Sequence, residues 1–150
     1  MIYTELTKKA VTLAYRAHAG QTDRAGWPYI LHPVHIAEQM ITEDTCVVAL
    51  LHDVLEDTDV TLEDMRKEGF TEQQLEAVQL MTHSKNVPYM DYVKKLSGNA
   101  VARAVKIGDL KHNMDRSRLS EYTEKDEQRY RKYKEALEQL LKCEEQDKSE

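Results

Sequence analysis

Proline, glycine and cysteine are scarce in this 150-residue chain: three, five and two. So few turn-formers leave little for the many tight hairpins of an all-β fold, while abundant Glu, Lys, Leu and Ala favour helices. Cys46 and Cys143 lie far apart and in no metal-ligand spacing, so they read as buried or incidental thiols of a reducing compartment. Long apolar runs are missing as well. The longest, Cys46 to Leu51, falls far short of the roughly 20 residues that cross a bilayer. The opening Met-Ile-Tyr-Thr-Glu has no basic segment leading into an apolar one, so no signal peptide is expected and the expected location is cytoplasmic. Nor is there an excess of positive charge: 27 acidic against 21 basic residues, net −6, with pI near 5.5. That balance argues against a nucleic-acid binder working through a general basic surface, while leaving a small anionic ligand open.

What is present is the composition of a globular chain, 41% hydrophobic and 32% charged, large enough for its own core. Apolar residues recur at helical spacing over 2–19 and stop at Gly20. Residues 20–32 read as a loop that mixes turn residues with aromatic ones, including the only tryptophan, Trp27. Pro33 is expected to open the next helix, to about Ile41, with His32 extended ahead of it. A helix from about Asp44 through Leu55 follows. Thr61 with Asp64 and Thr71 with Gln74 have the spacing of capping boxes. His83–Pro88 reads as a loop, 89–97 as a short helix and 99–116 as a further one. The last helix, about 123–145, carries Tyr130, Tyr133, Leu137, Leu140 and Leu141 as a seam closing the bundle, and the polar tail 146–150 is expected to fray. No repeat or linker divides the chain. The expectation is an all-α, single compact helical bundle over residues 1–150.

The chemistry concentrates in Ala49–Thr58. On a helix advancing about 100° per residue with His52 at zero, Glu56 falls near 40°, Asp53 near 100° and Asp57 near 140°. All four share one side, with Val47, Val48, Leu51, Val54 and Leu55 opposite. Such groups need partners if buried, and a divalent cation is the simplest one. A solvent-facing acidic side is the alternative, weakened by Ala49 and Leu50 interrupting the polar arc. His32 is either held rigidly at a loop–helix junction or packed on Tyr29, and His18 and His35 read as structural. Lys106, Asp109, Asn113 and Arg116 recur at intervals of three or four. The segment 103–118 is net +3, either a phosphate-binding surface beside a metal ligand or a solvated face with helix ion pairs.

Tyr29-Ile30-Leu31-His32-Pro33, His52-Asp53-Val54-Leu55-Glu56-Asp57-Thr58 and Lys106–Met114, together with Ala17–Gln21, resemble the HD-domain hydrolases in order and spacing. More narrowly, they are similar to the hydrolase domain of RelA/SpoT-type proteins and to single-domain small alarmone hydrolases, over about residues 5–118. The resemblance implies a helical HD domain with one divalent metal, usually Mn²⁺, held by His32, His52, Asp53 and Asp109. It implies that Glu56 and Asp57 form the catalytic pair that positions and activates water. Arg24, Tyr29 and Asn113 are candidates for the substrate site, and Lys106 and Arg116 for holding phosphates. The implied reaction removes the 3′-pyrophosphate of (p)ppGpp, a small-molecule nucleotide, with no role for nucleic acid or membrane. An HD phosphatase for another nucleotide or phosphorylated cofactor is the alternative, and a silent nucleotide- or partner-binding domain a second one. The chain departs from the family pattern at Asp23, where a basic residue is usual, at Leu110 in place of an arginine, and at His83-Ser84 in place of a lysine. These departures leave the metal set intact and the substrate and its guanine specificity open, as oligomeric state also is.

Overall fold

A computed structural model describes residues 1–149. Among them the chain is all-α: α1 (Glu5–Ala17), α2 (Leu31–Glu38), α3 (Glu43–Leu51), α4 (Val54–Asp57), α5 (Leu62–Lys67), α6 (Glu72–Met81), α7 (Tyr89–Ser97), α8 (Ala100–Asn113) and α9 (Glu124–Ser149), with one 3-10 turn at Arg116–Arg118. The one β-type pairing among the described residues is an isolated bridge between Thr22 and Pro28 that pins the α1–α2 loop.

Threonine starts five of these helices, α9 among them, where Thr123 and Asp126 bond each other's backbone N–H. Thr61 and Thr71 form the expected boxes with Asp64 and Gln74, and Thr4 and Thr42 form two more with Thr7 and Thr45. The last two escape a sequence reading because the returning side chain is a hydroxyl rather than Glu or Gln.

α3 is the axis of the bundle. Every residue from Cys46 to Leu51 is fully buried, and the helix packs against α1, α2, α6 and α8. It is apolar all round, as a central helix must be, and is not the two-sided helix the sequence suggests. It also stops earlier than expected. The His52 ring N–H donates from Nδ1 to the Ala49 carbonyl at 2.6 Å, the acceptor that a continuing helix would offer to the Asp53 N–H. His52 and Asp53 therefore occupy a turn, and Glu56 and Asp57 belong to the short α4 beyond it.

α2 differs in the opposite sense. It begins at Leu31, so His32 lies in its first turn instead of in an extended lead-in. α8 crosses α2 at Gly108, where a Cβ would stand 3.0 Å from Ile36 Cγ2 and 3.1 Å from Met40 Cε. Glycine lets the backbones approach closely enough for Asp109 to meet His32. α9 runs along α7 and α8 and stays helical through residues 146–149, where fraying was expected; Glu150 lies outside the described residues. Arg103, read from the sequence as part of a basic patch, is buried. It donates to Glu144, Asp147 and the Ser97 carbonyl, because α9 brings its own acids to it.

Candidate metal centre and the adjoining cavity

Four donor atoms from three parts of the chain form a closed ring. His32 Nε2 stands 2.9 Å from Asp109 Oδ1, which stands 3.6 Å from His52 Nε2. His52 Nε2 is 2.9 Å from Asp53 Oδ2, and that oxygen is 3.8 Å from His32 Nε2. Ligands at about 2.1 Å from a first-row dication sit roughly 3 Å apart in adjacent positions, so this spacing suits a single ion.

Protonation points the same way. Because His52 Nδ1 donates to Ala49, the neutral ring carries its lone pair on Nε2, a buried atom that faces the Asp53 and Asp109 oxygens. His32 is oriented by His112: their Nδ1 atoms are 2.7 Å apart, and the rings stack at 5.0 Å. Burial, then Arg118, His32 and His35, pushes the His112 pKa down to about 3, so the ring is neutral. A neutral His112 accepts the His32 Nδ1 proton and leaves His32 Nε2 bare for a metal. Asp109 takes Lys106 Nζ on Oδ2 at 2.8 Å and Asn113 Nδ2 on Oδ1 at 3.0 Å. Burial alone would raise its pKa, but Lys106 and the two imidazoles hold it well below the ordinary carboxylate range. Tyr29 Oη donates to Asp53 Oδ2 at 2.5 Å. Burial works against a charged His52, yet Asp53 and Asp109 together lift its pKa well above the usual value. The centre thus draws positive charge even when only protons are available.

Asp53, Glu56 and Asp57 make a second cluster on the same edge. Glu56 Oε1 accepts the His83 N–H at 2.7 Å, which ties it to the loop before α7. The Asp57 carboxylate has no hydrogen-bond partner among the described residues. Burial, then Asp53 and Glu56, pushes its pKa up to about 6.

Beside the ring opens a cavity of about 310 Å³, lined among others by Arg24, Tyr29, His32, Asn113 and Arg116. Four of the five substrate candidates therefore share one space. Lys106 is elsewhere: it is buried behind Asp109, with its ammonium 5.4 Å from the Tyr92 ring centre and 5.9 Å from that of Tyr89. α9 supplies the far wall through Asp126, Arg129, Tyr130 and Tyr133, so two tyrosines of the expected seam also face the cavity. Sequence reasoning passed over His112, although it lies inside a quoted motif, and over Arg129, and it took Arg118 only as part of the basic 103–118 segment. His112 stands three residues from Asp109, a spacing that signals a shared helix face; nothing local marks Arg129.

Residues 10–147 match the family model of the HD domain. The chain belongs to the HD-domain family. The match reaches through α9, so the cavity wall lies within the HD domain. A guanosine-3′,5′-bis(diphosphate) 3′-pyrophosphohydrolase of Vibrio cholerae is 46% identical over 65 residues, 41% of this chain and 9% of that one. A protein of the same name from Aquifex aeolicus is 35% identical over 91 residues, 58% of this chain and 13% of that one. The HD chain thus spans about a tenth of the length of these curated relatives. A solved structure of a metazoan ortholog of SpoT, described as hydrolysing ppGpp, superimposes with a TM-score of 0.73 at 22% identity, covering 94% of this chain and 88% of that one. That likeness is one of fold.

Proposed function

We propose that this HD domain, acting as one unit over residues 1–150, is a divalent-metal phosphohydrolase of the cytoplasm. Its leading substrate is (p)ppGpp, cleaved at the 3′-pyrophosphate as in a stringent response, and its metal is Mn²⁺. One observation carries the reading: the ring of His32, His52, Asp53 and Asp109 donors, 2.9 to 3.8 Å apart, beside Glu56, Asp57 and a cavity of nucleotide scale. The names of the relatives support the choice of substrate.

In this reading His32, His52, Asp53 and Asp109 hold the ion, which when bound acidifies water and neutralises phosphoryl charge. Tyr29, Asn113 and Lys106 keep the two carboxylates aimed, so Lys106 acts through Asp109. Glu56, anchored by the His83 N–H, positions the attacking water. Asp57, unpartnered and with a raised pKa, takes its proton. Arg24, Tyr29, Asn113 and Arg116 frame the substrate.

A second reading, another nucleotide or phosphorylated cofactor, is favoured by Asp23. This acid faces the cavity in place of a basic residue and is engaged by the Ala25 and Trp27 N–H groups and by Arg118. Dialysis against Mn²⁺ should load one ion per chain, and Asp53→Ala should abolish it. The loaded protein should release pyrophosphate from ppGpp, and Glu56→Ala should slow this by about 100-fold or more. No metal uptake would sink both readings. Uptake with ppGpp untouched, but phosphate released from another nucleotide, would favour the second.

A further inference from the structure

The motif Ala17–Gln21, which the metal centre does not use, ends α1 and opens the loop to α2. Gly20 takes a φ of 82°, a left-handed turn that folds Gln21 back toward His18. Both ends of the Gln21 amide are engaged. Nε2 donates to the Asp57 carbonyl at 3.1 Å, and Oε1 stands 2.8 Å from His18 Nδ1. A carbonyl only accepts, so the amide orientation is fixed and His18 Nδ1 is the donor to Oε1. Burial, against the Gln21 bond and Asp53, lowers the His18 pKa, so the ring is neutral with its lone pair on Nε2. That Nε2 is buried without a partner. A phenyl ring could fill the place beside Tyr29 without such a cost, so the imidazole serves through its Nδ1 donor.

The Asp57 carbonyl is an end that needs holding. α4 is four residues long with Val54 its one buried side chain, too short a helix to be stable by itself. Its own bonds run from the Asp57 N–H to the Asp53 carbonyl at 3.0 Å and from the Thr58 N–H to the Val54 carbonyl at 3.1 Å. The last carbonyls of a helix have no partner within it, and Gln21 supplies one. Two loops thus clamp α4: the α1–α2 loop through Gln21, and the loop before α7 through the His83 N–H. The clamps differ. His83 grips the Glu56 carboxylate itself, whereas the reach of the unpartnered Asp57 carboxylate is set by the backbone that Gln21 holds. Gln21 also accepts the Tyr29 N–H on its own carbonyl at 2.9 Å, and Tyr29 is the residue that donates to Asp53.

We propose that Gln21, locked by His18, is a positioning residue for hydrolysis: it fastens the end of α4 to the loop that frames the substrate and so aims the Asp57 carboxylate at the attacking water. This rests on the hydrolase reading and gives a role to a motif that reading leaves idle. Gln21 is not among the residues lining the cavity. It acts through the Asp57 backbone, so its loss should lower turnover and spare substrate binding.

The test compares Gln21→Glu with Gln21→Met in the full Mn²⁺-loaded protein. Glutamate keeps an acceptor for His18 but has no N–H for the Asp57 carbonyl; methionine, neutral and of similar length, offers neither. Both variants should lower kcat on ppGpp about ten-fold or more, with KM and Mn²⁺ affinity unchanged. Both should also quicken amide exchange over residues 54–58 about five-fold, the scale of one neutral hydrogen bond, while α3 exchanges as before. A loss confined to Gln21→Glu would overturn the proposal, since the added charge would then be the cause. A loss confined to Gln21→Met would overturn it too, because the bond to His18 alone would matter. So would a loss carried by KM, or wild-type kcat in both variants. Exchange does not depend on turnover, and unchanged exchange over α4 would reject the tether outright. A wild type that cleaves no nucleotide would reject the hydrolase reading, and quickened exchange in both variants would still retain Gln21 as the residue that holds α4.

Discussion

At the scale of single residues, the centre works by opposing environments. Asp109 is driven toward its charged form by Lys106 and the imidazoles, whereas Asp57 is held up to about 6 by burial and by Asp53 and Glu56. A carboxyl whose pKa is higher folded than unfolded binds more protons in the folded state. Its charge therefore costs stability as pH rises from about 4 to 6 and continues to do so above that. Asp57→Asn should leave the melting temperature of the EDTA-treated protein little changed near pH 4 and raise it by a few degrees above pH 6. The gain stays within about 1 kcal/mol because the side chain is half exposed and screened. A pH-independent difference in melting temperature would contradict this. His112 provides a separate check. His112→Phe keeps a ring to stack on His32 and His35 but removes the acceptor for His32 Nδ1, so Mn²⁺ affinity by calorimetry should fall about ten-fold with the melting temperature nearly unchanged.

At the scale of elements, the decisive features are a helix that stops and two helices that touch. Had α3 continued past Leu51, Asp53 would ride on a regular helix. The turn made by the His52–Ala49 bond lets His52 and Asp53 present their atoms 2.9 Å apart. The α2–α8 crossing at Gly108 sets the other half. A methyl group there meets Ile36, fully buried and unable to retreat, and Met40, whose chain end can move. Gly108→Ala should therefore cost about 1–2 kcal/mol, a drop of several degrees in the melting temperature. It should also weaken metal binding, because α8 carries Asp109 away from His32. A variant that melts lower with metal affinity intact would show that the crossing does not set the ligand spacing.

For the whole molecule, α9 is both packing element and cavity wall, and it is fastened at its two ends by different pairs. Asp126 meets Arg24 near its start, and Glu144 and Asp147 meet the buried Arg103 near its end. Between them Ala136 and Leu140 are its only fully buried apolar residues. Arg103→Ala leaves Glu144 without its partner and the Ser97 carbonyl without its donor, at a cost of about 2–3 kcal/mol. Amide exchange should then quicken over residues 137–149 more than over α3. Uniform acceleration would mean that α9 does not loosen as a separate unit.

The helical class and two of the five capping boxes were legible in the sequence, and the four candidate ligands and the Glu56–Asp57 pair could be named as candidates through their motifs. Propensity and short-range spacing are local, and the candidate ligands sit in motifs whose order survives without coordinates. Only the tertiary structure decided how they are used. Arg103 and Lys106 look like surface cations until α9 is brought against the first and Tyr89 and Tyr92 of α7 against the second. Tyr130 looks like part of the bundle seam, and nothing marks Arg129, until the 20–30 loop closes the cavity. Where α3 ends depends on one imidazole competing with a backbone amide for a carbonyl, a balance that no periodicity reveals. Residue types and spacings set which groups are available, whereas burial and long-range partners set which of them are free to bind.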